Sequence, residues 1–153
     1  MSRWLATARV PAEVIMAEGM RYAGDVHVQN SVPHRHGPET ALEMLNRRQA
    51  IFPLSLADGG VVFLAKAQVA VLSCDPPEPM FEPERASVAT RMHLHVIMVG
   101  GAEFIGWAQG ELPPSRGRAL DFLNGPDDFF SLQTDGTMRC LHRTFVRAVT
   151  PLD

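Results

Sequence analysis

Histidines are the first residues of this sequence that could do chemistry, because four of the six form two His-x-His pairs. His34 and His36 lie in a polar loop, whereas His93 and His95 lie in a run that alternates as a strand does. Residues two apart on a strand share a face, so His93 and His95 could chelate one metal ion, with the other pair and a cysteine completing a tetrahedral site. Short His-x-His pairs also occur by chance. The sequence favours ordinary surface histidines over a metal site, and it predicts no cofactor.

A second candidate is the basic segment that runs from Arg139 to Arg147. In a continuous strand, Arg139, Arg143 and Arg147 would share one face with Phe145. Guanidinium groups beside an aromatic ring suit phosphates and a stacked base, so this segment is the basis for a nucleic-acid alternative. The same pattern is typical of a solvated outer strand whose arginines protect a sheet edge. The formal net charge of −3 disfavours a nucleic-acid partner.

The other reactive side chains have no catalytic context. Glu43 and Asp121 occupy matching places in two similar segments, but their leucine and asparagine companions indicate packing and helix ends. The sequence contains no P-loop, nucleophile elbow or His-Glu-x-x-His motif. Cys74 and Cys140 are not in a Cys-x-x-Cys pair, so buried structural thiols are favoured. We therefore predict no enzyme activity and no catalytic residue.

Length and composition set the frame for these residues. The chain has 153 residues, of which 46% are apolar and 20% charged, which suits one compact domain or two very small ones and excludes a disordered chain. The sequence contains no apolar run long enough to cross a membrane. Two cysteines and an N-terminus without an apolar signal-peptide core predict a cytoplasmic protein.

An internal repeat organises the chain. A shift of 82 positions places Val14–Gly19 (VIMAEG) on Val96–Gly101 (VIMVGG). A shift of 78 then places Ala41–Asn46 (ALEMLN) on Ala119–Asn124 (ALDFLN). A shift of 77 aligns Asp58-Gly59 with Asp135-Gly136, Lys66 with Arg143 and Val69 with Val146. Because the matches keep their order and include turn residues, the sequence predicts a duplication.

Each copy predicts the element order β-β-α-β-β. Alternating apolar runs predict strands, and the Gly19 and Gly100-Gly101 turns predict hairpins. The apolar pairs Leu42 with Leu45 and Leu120 with Leu123 predict one short helix. The predicted strands are Val10–Ala17, Met20–Gln29, Ala50–Leu56 and Val61–Leu72 in the first copy, and Met92–Val99, Ala102–Leu112, Asp128–Thr134 and Thr137–Val149 in the second.

The sequence therefore predicts three regions: a first repeat over 10–74, a linker over 75–87 and a second repeat over 88–150. The linker contains four prolines and carries a net charge of −3, so it reads as an extended spacer. A unit of about 65 residues is marginal alone, which favours two copies that bury each other's apolar faces. We predict a β-rich α+β protein, with the repeats packed as a pseudo-twofold globule.

The repeat resembles a group of bacterial tandem-repeat domains, through its glycine-containing hairpin, the Ala-Leu-Asp/Glu-x-Leu-Asn helix and the Asp-Gly turn before a long last strand. It also bears a looser likeness to Sm-like small β-barrels. That likeness implies strongly bent antiparallel sheets, an Sm-like barrel as one form of them, assembly through strand edges and, in many members, RNA binding. The helix lies inside the repeat here, whereas the Sm-like pattern places it before the strands. No Sm-type RNA-binding motif matches residues of this sequence.

The sequence predicts a non-enzymatic protein that acts by binding a protein partner, as a regulatory or scaffolding module, or by self-association through strand edges. The exposed edges of the sheets are the expected contact surfaces. The alternative is an Sm-like nucleic-acid-binding protein that uses Arg139, Arg143, Phe145 and Arg147. The third hypothesis is a metal-binding protein that uses the two His-x-His pairs.

Overall fold

The computed structural model describes residues 7–32, 37–77, 90–110 and 118–152. These residues form ten strands and two short helices, with a 3-10 turn before the fifth and tenth strands. The N-terminal half contains β1 (Thr7–Met16), β2 (Arg21–Gln29), α1 (Ala41–Leu45), β3 (Ile51–Leu56), β4 (Val61–Ala65) and β5 (Val69–Cys74). The C-terminal half contains β6 (Thr90–Met98), β7 (Glu103–Gly110), α2 (Arg118–Leu123), β8 (Phe129–Thr134), β9 (Thr137–His142) and β10 (Val146–Pro151).

All ten strands belong to one antiparallel sheet, which confirms the prediction of a β-rich protein. Their order is β10-β6-β7-β8-β9-β5-β1-β2-β3-β4, so the sheet is open and its two edges are β10 and β4. The two halves meet where β9 pairs with β5. The predicted pseudo-twofold packing is not confirmed by this order, because β5 and β9 hold different places within their halves.

The predicted fourth strand of each half is wrong as a single strand. The structure divides Val61–Leu72 into β4 and β5 by a 3-10 turn at Lys66–Gln68, and it divides Thr137–Val149 into β9 and β10 by a turn at Arg143–Phe145. Each half therefore has five strands. Neither turn contains glycine or proline, the residues that usually mark a turn, so the sequence predicts one continuous strand there.

Glycines allow the hairpins and the close crossing of strands. Gly19 and Gly101 have φ values of +105° and +98° in the turns that join β1 to β2 and β6 to β7, as the sequence predicts. Gly24 and Gly106 serve a different purpose, since a Cβ atom there would collide with the carbonyl oxygens of Ser55 and Gln133. Glycine at these two places lets β2 and β7 approach the strands beside them.

The helices differ in detail from the sequence prediction. The side chain of Thr40 accepts a hydrogen bond from the Glu43 N–H at 3.1 Å, and the Glu43 carboxylate accepts one from the Thr40 N–H at 2.8 Å. This capping box starts α1 and gives Glu43 a structural role. The predicted apolar pair in α2 is wrong, because Leu120 is exposed to solvent.

Two apolar clusters form the core, and each crosses the junction between the halves. The first cluster consists of residues from β1–β5 and α1 together with Phe129, Met138 and Cys140 from the C-terminal half. The second consists of residues from β6–β9 together with Ala70 and Val71 from the N-terminal half, and partly buried residues of β10 pack against it. Since burial of apolar surface is the main stabilising contribution, each half is completed by side chains of the other.

Candidate functional site

The His-x-His pair of β6 contacts two different partners on β7. His93 stacks on Trp107 with ring centroids 4.3 Å apart, and His95 Nε2 lies 2.8 Å from Glu103 Oε1. Within the described part of the chain, no group of three or more histidine, cysteine or acidic side chains could hold a metal ion. His34 and His36 lie outside the described residues, so the metal-site hypothesis stays a prediction.

Arg139, the first member of the basic segment, lies on the junction between β9 and β5. Its Nη1 donates to Ser73 Oγ at 2.8 Å and its Nε donates to Thr134 Oγ1 at 3.3 Å. The guanidinium group also lies 5.2 Å from the centre of the Phe104 ring. The bond to Ser73 joins the two halves, because Ser73 belongs to β5 and Arg139 to β9, whereas Thr134 and Phe104 lie in the same half as Arg139.

The other members of the basic segment do not continue a stripe from Arg139. Arg143 lies in the 3-10 turn, where its guanidinium group donates to the carbonyl oxygens of Phe122, Leu123 and Asp127 at the end of α2. Burial lowers the pKa of Arg143, while Asp127 and Asp128 oppose that shift. Phe145 is half-buried with its ring edge against His142, and Arg147 is exposed on β10. The structure therefore separates the three arginines that a single strand would align.

Lys66 holds the end of α1 in the same way, a role that its isolated charge in the sequence does not indicate. Its Nζ donates to the carbonyl oxygens of Met44 at 2.7 Å and Arg47 at 3.1 Å, and the residue is buried. Burial is the main cause that lowers the pKa of Lys66, Arg47 lowers it further, and Glu39 and Asp128 act in the opposite direction. A buried ammonium group that donates to carbonyl oxygens is a structural anchor.

Both cysteines are buried at the junction. Burial raises the pKa of Cys74 to about 11, with a smaller contribution from Asp75, and it raises the pKa of Cys140 well above its usual value. Because the thiolate is the reactive form, neither thiol is activated as a nucleophile or as a metal ligand.

The junction itself is a short antiparallel ladder with a fixed register. Four pairs of residues lie opposite one another: Val71 and Leu141, Leu72 and Cys140, Ser73 and Arg139, and Cys74 and Met138. At one end of the ladder, His142 Nδ1 lies 2.9 Å from the Val69 carbonyl oxygen, and the His142 ring stacks on Phe129. Strand pairing and side-chain contacts thus join the halves.

Asn46 makes the most specific contact across the junction. Its Nδ2 donates to the Phe129 carbonyl oxygen at 3.1 Å, and its Oδ1 accepts from the Phe129 N–H at 2.9 Å. Asn46 ends α1, as the sequence predicts, and its φ of −87° and ψ of −1° are right-handed. The side chain of Asn46 is the hydrogen-bond partner of both backbone groups of Phe129 at the start of β8. A helical pattern in the sequence does not indicate this contact.

The open edge at β4 carries backbone groups without strand partners among the described residues. The Leu56 N–H donates to the Gly60 carbonyl oxygen at 2.7 Å, and the Lys66 N–H donates to the Ala50 carbonyl oxygen at 2.8 Å. In an antiparallel ladder alternate residues bond the neighbouring strand. Val61, Phe63 and Ala65 must therefore direct their N–H and C=O groups away from β3, toward the open edge.

Apolar side chains accompany these backbone groups. Val61, Phe63 and Ile51 are 56%, 72% and 51% exposed, and the pairing of β3 with β4 places them on one face. We call these three residues the β4 patch. The strand sequence Val-Val-Phe-Leu-Ala contains no charge and no proline, the usual features that protect an edge from pairing.

The opposite edge, β10, is protected more than β4. Its sequence includes Arg147 and Pro151, and β10 pairs with β6 only. The Leu152 N–H donates to the His93 carbonyl oxygen of β6 at 2.9 Å. Because alternate residues of a strand bond the same neighbour, the backbone groups of Val149 face away from β6, toward the open edge. Among the described residues, the structure thus offers a pair of strand edges as the candidate binding site.

Within the residues that the structure describes, no helix has the length and apolar character to cross a membrane. Comparison of the chain with protein-family models, curated proteins and solved structures gave no match.

Proposed function

We propose that this chain is a non-enzymatic binding or scaffolding protein that takes up a protein partner by strand addition at the open edges of its sheet. The observation that carries the proposal is the β4 edge, where outward backbone groups lie beside the exposed β4 patch. An added strand would satisfy those backbone groups and bury the patch. Main-chain hydrogen bonds then give affinity, and side chains give specificity.

A duplicated architecture is part of this proposal. The strand order within the first half is β5-β1-β2-β3-β4 and within the second half β10-β6-β7-β8-β9, which is the same order. Lys66 and Arg143, aligned by the repeat, each bind carbonyl oxygens at the end of the preceding helix. Gly24 and Gly106, also aligned, each face a carbonyl oxygen of the adjoining strand. These parallels support two repeats joined head to tail.

The structural contacts of the described thiols and basic side chains support a role without catalysis. The two thiols are buried with raised pKa values, and the basic side chains Lys66, Arg139 and Arg143 bind groups of the protein itself. A cytoplasmic location belongs to the same proposal and is consistent with two unpaired cysteines. Among the described residues, no contact favours nucleic acid or metal binding as a second function.

A capture experiment with matched variants tests the proposal. The immobilised chain is incubated with lysate of the native host, and bound proteins are compared between Phe63→Lys and Ile105→Lys. Both residues are exposed and apolar, but Phe63 is on an edge strand and Ile105 on the interior strand β7. We expect Phe63→Lys to lose the bound proteins and Ile105→Lys to keep them. Equal binding by the two variants would exclude the β4 edge as the binding surface.

A further inference from the structure

We infer that the partner of the β4 edge is a second copy of this chain, whose β10 edge pairs with β4 in the register that β5 and β9 use inside one chain. The inference rests on the proposed edge binding and names its occupant. The internal junction serves as the template, since β9 and β4 are aligned by the repeat, as are β5 and β10. The two open edges of one molecule are therefore the strands that align with the two strands of its internal junction.

Burial at aligned positions gives the first argument. Phe129, Met138 and Cys140 are 2%, 4% and 0% exposed because they complete the core of the other half. The residues aligned with them are those of the β4 patch, which are at least half exposed. The same residue positions are thus buried at the closed junction and uncovered at the open edge.

The template also fixes the register of the intermolecular ladder. Leu72 lies opposite Cys140 and Cys74 lies opposite Met138 in the internal junction. Transferred by a shift of 77 positions, these pairs place Val149 opposite Phe63 and Pro151 opposite Val61. The outward backbone groups of Val149 and Phe63 can bond each other, whereas Pro151 can only accept.

A second asparagine supplies an independent argument. Asn124 is aligned with Asn46 and Ile51 with Phe129. Asn46 binds the backbone of Phe129 with both atoms of its amide. Asn124 is exposed, and its side chain has no hydrogen-bond partner among the described residues. At the intermolecular junction, Asn124 of the copy that supplies β10 would bind the backbone of Ile51 in the copy that supplies β4. This contact is equivalent to the one that Asn46 makes with Phe129 within one chain.

The resulting contact is directional. Unlike edges meet, so each added copy leaves one β4 edge and one β10 edge open, and assembly proceeds to a closed ring or a filament. One difference weakens the intermolecular contact relative to the internal one. Arg147 on β10 takes the place of the buried Ala70, so its charged end must stay at the rim. Association should therefore depend on concentration.

The test is sedimentation velocity of the purified chain over a range of concentrations, with three single variants. Phe63→Lys blocks the β4 edge, Ala148→Lys blocks the β10 edge, and Ile105→Lys is the control; all three positions are exposed. Ala148 is aligned with Val71, which is buried at the internal junction. We expect the wild type and the control to form species larger than a dimer as concentration rises.

Each edge variant alone should stay monomeric, while their mixture should form a dimer and nothing larger, because only one pair of intact edges is present. Circular dichroism checks that each variant is folded. A wild type that is monomeric at every concentration would overturn the inference, as would edge variants that associate like the control. If the wild type is monomeric but still captures proteins from the lysate, and Phe63→Lys abolishes that capture, then binding at the β4 edge stands and only the identity of the partner is wrong.

Discussion

Asn46 and Asn124 form a matched pair that tests the junction quantitatively. Replacing Asn46 with alanine removes two hydrogen bonds and leaves the N–H and C=O of the buried Phe129 without their partners. From the usual cost of unpaired buried backbone groups, we expect the free energy of unfolding to fall by about 2–4 kcal/mol. Asn124→Ala removes no hydrogen bond within the described chain and should change it by less than about 0.5 kcal/mol.

The assay is urea unfolding followed by circular dichroism at a protein concentration low enough for the monomer. The slope of the transition should be the same for both variants, so the midpoints compare their stabilities directly. Equal midpoints for the two variants would refute the argument, because both residues stand at the end of an aligned helix and only Asn46 makes hydrogen bonds across the junction. At high concentration, only Asn124→Ala should reduce self-association without reducing the stability of the monomer.

The described contacts also predict the effects of two substitutions and the behaviour of the two thiols. Lys66→Met should lower the free energy of unfolding by about 1–3 kcal/mol in urea titrations, because the carbonyl oxygens of Met44 and Arg47 lose their bonds to the ammonium group, and Lys66→Arg should cost less. Gly24→Ala should lower the melting temperature measured by calorimetry, since its Cβ would collide with the Ser55 carbonyl oxygen; an unchanged temperature would contradict that geometry. Burial raises the pKa of Cys74 from 9.0 to about 11, so stability linked to this thiol is full below pH 9 and is lost as pH rises toward 11. Both thiols should react with a disulfide reagent at pH 8 only after denaturation, and rapid reaction of the folded chain would contradict their burial.

The sequence predicts the hairpins of this fold and all but the last strands of each half, because their signals are local. Gly19 and Gly101 adopt the positive φ that their turns require, and the alternation of Met92–Val99 corresponds to β6. The 3-10 turn at Lys66 escaped prediction because apolar residues continue through it without a breaker. The start of α1 is set by the Thr40 capping box, which a search for apolar pairs overlooks.

The candidate site was predicted only in outline. Strand edges were named as contact surfaces, but which strands are edges depends on long-range pairing between β5 and β9, and local periodicity does not encode that pairing. The spacing of Arg139 and Arg143 predicts one shared strand face, whereas the turn between β9 and β10 gives the two side chains different partners. The duplicated asparagine is a signal that the sequence interpretation assigns to helix ends, whereas the structure shows that Asn46 also binds Phe129 across the junction.

Cross-linking at the expected intermolecular register tests the head-to-tail contact most directly. The internal pair of Ser73 and Arg139 corresponds to Thr150 on one copy and Val62 on the next. At such a non-hydrogen-bonded pair the Cα atoms are about 4.5 Å apart, which suits a disulfide. A mixture of Val62→Cys and Thr150→Cys chains, oxidised under native conditions, should give a disulfide-linked dimer joining these two residues. A mixture of Ile105→Cys and Thr150→Cys should not. Equal cross-linking in both mixtures, or none in the first, would contradict the edge pairing on which this account depends.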